Sequence, residues 1–230
     1  MKVIVGGCSV SDYTGPEVKK VYGEILANNI NAEYIHHGAG CGSNYRIWRT
    51  ITRMVMNNEI SEDDILIIQY TGVNRQEFWS SCVLSEEQRH IGSIEIRNKK
   101  YDGDIIRFKS SLPMVNKIEQ KFFNLKEAHF TSIEFDEERF EYNHFLFHNL
   151  LTSKNIKVVY LVPNGVNGIM SGYSFNKRHL FNKNNEKHIG YDLSLQYPSI
   201  HMQDESHWNN EGHKYVSSVL EKFIKEEQWL

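Results

Sequence analysis

Asp64-Ile65-Leu66-Ile67-Ile68-Gln69-Tyr70 is the clearest strand in the sequence, apolar almost throughout. A short run without polar alternation has the pattern of a strand buried on both faces, as in a parallel sheet covered by helices. Val3–Gly6, Ala32–His37 and Lys157–Val162 (KVVYLV, closed by Pro163) are further strand candidates. Helical patterns fall between them. Gly15-Pro16 opens one carried by Val18, Val21, Ile25 and Leu26, with Pro16 suited to a first turn. Asn44–Asn57 holds another, with Ile47, Ile51 and Val55 at turn spacing, and a final helix is expected from about Asn210 to about Glu226. Strand and helix in alternation imply right-handed crossovers and a parallel sheet with helices on both sides.

At 230 residues a single domain is the default, 1–230. Two stretches depart from simple alternation. Residues 80–155 read as an insertion, with a hairpin over Ile91–Phe108 turning at Tyr101-Asp102-Gly103-Asp104, and helical patterns around Leu112–Ala128 and Phe135–Leu151. Residues 164–200 are polar, rich in Asn, Lys and Gly, and read as one long loop. Its run Asn176–Lys187 either draws an anionic substrate or is a solvated loop, the commoner case.

A hydrophobic content of 40% is enough for one sizeable core, and a net charge of -3 gives no overall attraction for nucleic acid or anionic membrane. No apolar run approaches the roughly 18 residues of a membrane span, and Met1-Lys2 leads straight into the first strand with no export signal. Three cysteines, Cys8, Cys41 and Cys82, form no disulfide or metal pattern. The expected setting is cytoplasmic, or a virus assembled there.

In open α/β sheets functional residues collect at the carboxyl ends of strands. Gly6-Gly7-Cys8-Ser9-Val10-Ser11-Asp12 follows the first strand and leaves Ser9 as a candidate nucleophile; the plain alternative is a strand-to-helix turn with a Ser or Asp cap. Cys8 is a rival nucleophile, directed away from whatever Ser9 faces because extended neighbours alternate. Gly40-Cys41-Gly42-Ser43-Asn44-Tyr45-Arg46 follows the second strand, and an amide at Gly42 offers a donor to an anion, unless this is a glycine-rich connection capped by Ser43 or Asn44. Tyr70-Thr71-Gly72-Val73-Asn74-Arg75 follows the third. There the Asn74 side chain is a candidate oxyanion donor, and Arg75 either holds an anionic substrate or pairs with Glu77. Asp204-Glu205-Ser206-His207, before the last helix, sets a carboxylate beside an imidazole, the pairing a general base needs to fix its tautomer. His213 is a weaker candidate on the last helix. Trp48, Trp79 and Trp208 either stack on a sugar or pack in the core. His36, His37, His144, His148, His179, His188 and His201 show no ligand spacing and read as structural.

Taken in order, these segments resemble the four blocks of the SGNH hydrolases, the GDSL-like esterase and lipase superfamily. Gly7-Cys8-Ser9-Val10-Ser11 is similar to the first block, Gly42-Ser43-Asn44-Tyr45-Arg46-Ile47 to the second, Gly72-Val73-Asn74 to the third and Asp204-Glu205-Ser206-His207 to the fourth. Two positions depart from the family pattern: Cys8 stands where the namesake motif has Asp, and Arg75 where Asp is frequent. The resemblance implies a three-layer α/β/α sandwich of flavodoxin-like type. It also implies a Ser9-His207-Asp204 triad, an oxyanion hole of the Ser9 and Gly42 amides with the Asn74 side chain, and no metal or organic cofactor. The implied activity is hydrolysis of a small acyl ester, acetyl foremost, on a carbohydrate or similar small molecule. A non-catalytic glycan- or protein-binding module and an O-acyltransferase are the rival roles for the same fold.

Overall fold

The computed structural model describes residues 1–8, 11, 18–38, 42–71, 76–79, 105–108, 133–164, 188–192 and 207–230, with the backbone alone at 76–79, 105–108, 133–137, 162–164 and 188–192. In chain order the elements are β1 (Lys2–Gly7), α1 (Tyr22–Asn29), β2 (Glu33–Gly38), α2 (Asn44–Met56), β3 (Ile65–Gln69), β4 (Gln76–Trp79), β5 (Ile105–Phe108), α3 (Ile133–Ser153), β6 (Lys157–Asn164), β7 (His188–Asp192) and α4 (Asn210–Glu226). Five strands form one sheet in the order β2-β1-β3-β6-β7, every neighbouring pair parallel. This is the doubly wound order in which the chain steps from β1 to β2 on one side, then crosses back to β3 on the other.

Side-chain alternation on the inner strands divides the core in two. Ile4, Leu66, Ile68, Val158 and Tyr160 face one side, where they pack with Ile47, Ile51 and Met54 of α2 and Phe140, Phe147 and Leu151 of α3. Val3, Val5, Ile65, Ile67, Val159 and Leu161 face the other, against Tyr22 and Leu26 of α1 and Val216, Leu220 and Ile224 of α4. Three layers result, as the sequence implies. The near-continuous apolar runs are a direct consequence, because both faces of each inner strand are dry.

All four described helices stop in the same way. Asn31, Asn58, Asn155 and Gln228 take positive φ of 53–56°. The amide of the next residue then reaches back to a carbonyl in the last helical turn: Ala32 to Ala27, Glu59 to Met54, Ile156 to Leu151 and Trp229 to Ile224, at 2.8–3.1 Å. This closure satisfies carbonyls that would otherwise be orphaned, and asparagine tolerates the left-handed conformation better than most residues.

Three expectations need correction. The first helix begins at Tyr22, later than the spacing of Val18 and Val21 suggests; both are buried, but Val21 is an extended N-cap. Tertiary partners take up amides there that a longer helix would have bonded. Lys19 N–H donates to Asn210 Oδ1 at 2.9 Å and Tyr22 N–H to His213 Nδ1 at 3.3 Å. The 164–200 stretch contains a strand, β7, pairing with β6 from Tyr160↔His188 to Asn164↔Asp192. As the terminal strand of the sheet, holding a glycine, it carries little apolar signal. Pro163 does not close β6, which runs on to Asn164. The last β3–β6 pair is Gln69↔Leu161, so Pro163 lies beyond the ladder on that side, where a missing N–H is tolerated. In the stretch read as an insertion, β5 pairs antiparallel with β4, Gln76↔Phe108 to Trp79↔Ile105. Residues 91–104 and the pattern at Leu112–Ala128 lie outside the described residues.

The close approach of α1 to the sheet depends on Gly23. A Cβ there would stand 2.5 Å from Val5 Cγ2 and 2.7 Å from Tyr34 Cε2. Alanine gains about 1 kcal/mol of helix propensity over glycine, but overpacking of a dry interface costs about 1–3 kcal/mol. Gly23→Ala is therefore expected to lower stability on balance, read as a reduced urea midpoint at unchanged slope.

Candidate active site

The sheet reverses its winding between β1 and β3, and ligands of such sheets bind at the carboxyl ends of the strands flanking that switch. Of the residues singled out in the sequence, Gly42 and His207 are described; Ser9, Asn74, Arg75 and Asp204 lie outside the described residues.

After β1 the chain folds back at once. Ser11 donates to the Cys8 carbonyl from both its amide (3.1 Å) and its hydroxyl (2.8 Å). Its own carbonyl accepts from His36 Nε2 at 3.0 Å, which fixes the proton of His36 on that nitrogen. A Cβ on Gly7 would collide with Ser11 Oγ and lie 3.1 Å from Gln69 Oε1, while one on Gly38 would lie 2.7 Å from the same hydroxyl. Glycine at the ends of β1 and β2 thus makes room for Ser11 over the sheet edge. The sequence marks Ser11 only as a candidate cap; its buried position against two strands is a tertiary result.

Cys8 is fully buried. Its thiol and its amide both lie 3.4 Å from Gln69 Oε1, whose amide nitrogen donates to the Tyr70 carbonyl at 2.8 Å. Cys8 belongs to the core on the α1–α4 side, out of step with the strand alternation that sends Val3 and Val5 there and Ile4 to the other face, and its thiol is shielded from solvent.

Gly42 is buried just before α2, and Ser43 is the N-cap, its hydroxyl accepting from Arg46 N–H at 3.1 Å. Asn44 does something else. Its side-chain oxygen accepts from Thr71 N–H and its nitrogen donates to Thr71 O, both at 2.9 Å. Buried Arg46 donates to the His37 carbonyl at 2.6 Å, joining the first turn of α2 to the end of β2. Behind β3, Tyr70 receives the Trp48 indole N–H at 3.2 Å and shares a 2.6 Å hydrogen bond with His144 Nδ1; His148 Nδ1 pairs with Tyr160 OH at 2.9 Å. Trp48 and His144 are buried core components and half-buried His148 borders them, in keeping with the structural reading of the two histidines.

His207 is half-buried, and the next residue, Trp208, is buried in edge-to-face contact with Tyr22 and His213. Trp208 is therefore an anchor of the core and not a sugar platform. Asn209 caps α4, accepting from the amides of Glu211 and Gly212 at 3.0 Å each. His213 sits inside α4, 1% exposed, with Nδ1 accepting the Tyr22 amide, so its proton is on Nε2. Burial, reinforced by the nearby charge of His207, lowers its pKa from 6.5 to about 4. A neutral, enclosed imidazole serves α1 as an acceptor and is not placed to exchange protons with a ligand. Among the described residues no group of three or more His, Cys, Asp or Glu is arranged to hold a metal ion, and no helix is long and apolar enough to cross a membrane.

No family model and no curated protein matches the sequence. Solved structures do match the fold. A G-D-S-L family protein from Desulfitobacterium hafniense DCB-2 superposes with a TM-score of 0.55 at 10% identity, covering 96% of this chain and 98% of that one. A member of the lipolytic protein G-D-S-L family from Veillonella parvula DSM 2008 gives 0.54 at 13% identity, covering 94% of each. A carbohydrate esterase whose active site is described as having divergent catalytic and non-catalytic binding functions gives 0.50 at 10% identity, covering 100% of this chain and 70% of that one. The described residues share the three-layer α/β/α fold of these G-D-S-L structures, a fold that the SGNH-like segments of the sequence imply.

Proposed function

We propose that this protein is a serine esterase that removes a small acyl group, acetyl foremost, from a carbohydrate or similar alcohol. The observation that carries the reading is the shared burial of Cys8 and Trp208 in one core cluster. These residues are the chain neighbours of Ser9 and His207, near opposite ends of the sequence. Their common cluster supports an arrangement in which the hydroxyl and the imidazole serve one site. The fold likeness to G-D-S-L proteins and to a carbohydrate esterase supports the reaction class and suggests the substrate.

In this mechanism Ser9 Oγ attacks the ester carbonyl while His207 takes its proton, and Asp204 holds the imidazole in the required tautomer. Negative charge on the carbonyl oxygen is met by the amides of Ser9 and Gly42 and by the side chain of Asn74. Collapse of the tetrahedral species expels the alcohol, which leaves with the proton from His207. Water then attacks the acyl-enzyme through the same base, releasing the acid and free Ser9. Arg75 is assigned to the substrate side of the site. No step requires a cofactor.

A fluorophosphonate probe tests this reading directly. Stoichiometric labelling with the adduct mapped by mass spectrometry to Ser9 is the expected result. An unlabelled, folded protein would overturn it in favour of a non-catalytic binding module. Labelling together with acyl transfer to an added sugar in preference to water would point to an acyltransferase.

A further inference from the structure

We propose that Asn44 is a positioning residue that holds the second and third strand-end segments in register, and so sets the spacing of the oxyanion donors Gly42 and Asn74. The inference rests on the esterase reading for its catalytic consequence, but its geometry stands on described residues. Thr71 has left the ladder: β3 ends at Gln69, and the Tyr70 amide makes the last sheet-like bond, to the Leu161 carbonyl at 3.0 Å. Thr71 is nonetheless fully buried, so its amide and carbonyl both need partners. The primary amide of Asn44 supplies both at 2.9 Å, acting as one rung of a sheet where no strand is present. The pairing also fixes which side-chain atom is oxygen, since Thr71 N–H requires an acceptor.

Asparagine is the side chain suited to this task. Leucine or alanine satisfies neither group, and aspartate accepts from the amide but cannot donate to the carbonyl when ionised. Asn44 is itself the first residue of α2, held beside Gly42 by the Ser43 cap, and it is buried. On the other side of the clamp, Thr71 lies close in sequence to Asn74. The pair therefore links the start of one donor-bearing segment to the start of the other through two hydrogen bonds shielded from water. Oxyanion stabilisation depends on donors set in advance, and small displacements of such groups are costly.

The test is Asn44→Ala, with Asn44→Asp as a second variant should the first fail to fold, each read by residue-resolved amide exchange and by ester hydrolysis. Exchange at the Thr71 amide is expected to speed up by about tenfold or more, while Ile67 in the middle of β3 keeps its protection. With p-nitrophenyl acetate, kcat is expected to fall about 10- to 100-fold with KM changed less than about threefold. In an Asn74→Ala background the same substitution should cost less than about threefold further, because the donor it positions is already gone. Unaltered Thr71 exchange would overturn the clamp. An equal loss of kcat in both backgrounds, or an undiminished kcat in a folded variant, would overturn its catalytic role. If wild-type protein neither turns over the ester nor takes the phosphonate, the esterase reading falls and the catalytic half of this proposal with it, whatever the exchange data give.

Discussion

Ser9→Ala is expected to reduce kcat/KM for p-nitrophenyl acetate by about 10,000-fold or more while leaving the urea midpoint nearly unchanged. Loss on that scale is what removal of a nucleophile from a Ser-His-Asp unit produces, and His207→Ala should cost a comparable amount because the members act together. The informative control is Cys8→Ala. The Cys8 thiol is fully buried against Gln69 and makes no contact with solvent. Its removal should therefore lower stability modestly, by about 1 kcal/mol, and leave turnover intact. A serine variant that keeps its activity, or a cysteine variant that loses it while folded, would move the nucleophile away from Ser9.

The second large effect is on stability against acid. His213 titrates near 6.5 in an unfolded chain and near 4 in the folded protein, mainly because it is buried and secondarily because His207 is close by. Between those two values the unfolded chain holds more protons than the folded one. Stability must then fall as the pH is lowered through that window, with the full contribution present above about 6.5 and no further slope from this group below about 4. Integrated over the window, the effect is on the order of 3 kcal/mol. His213→Asn keeps an acceptor for the Tyr22 amide but cannot titrate there. Urea midpoints compared at pH 7.5 and pH 4.5 should show the wild type losing markedly more stability than the variant. Equal losses would mean that His213 is not the group responsible.

How much of this could be read along the chain follows from where each residue gets its energy. The inner strands β1, β3 and β6 were legible because each is dry on both faces, so Val3, Ile4 and Val5, or Ile65 to Ile68, needed no periodicity to stand out. Helix α4 was legible from Asn209 onward because its cap is local: the bonds reach only to Glu211 and Gly212. The edge strand β7 was missed because its stability comes from pairing with β6, with a glycine at its centre. The start of α1 was misplaced because Lys19 and Tyr22 find acceptors on α4, far away in sequence. Among the candidate site residues, Gly42 and His207 are marked by motif. Ser11 and Asn44 stand in the first two motif blocks and as possible caps with no further role legible, since their hydrogen bonds to other elements leave no local pattern.

The amino-acid sequence by itself determined a parallel sheet between helical layers and the segments, three of them following β1, β2 and β3, that hold the candidate site residues. Burial and capping are short-range demands, so they are written in neighbouring side chains. Which neighbours of those residues are core was decided only by tertiary structure. Cys8 and Trp208 meet in one cluster, Asn44 completes the hydrogen bonding of Thr71, and His213 is kept neutral beneath α1. Each depends on groups brought together from distant parts of the chain and shielded from water, where an unmet donor or acceptor is expensive.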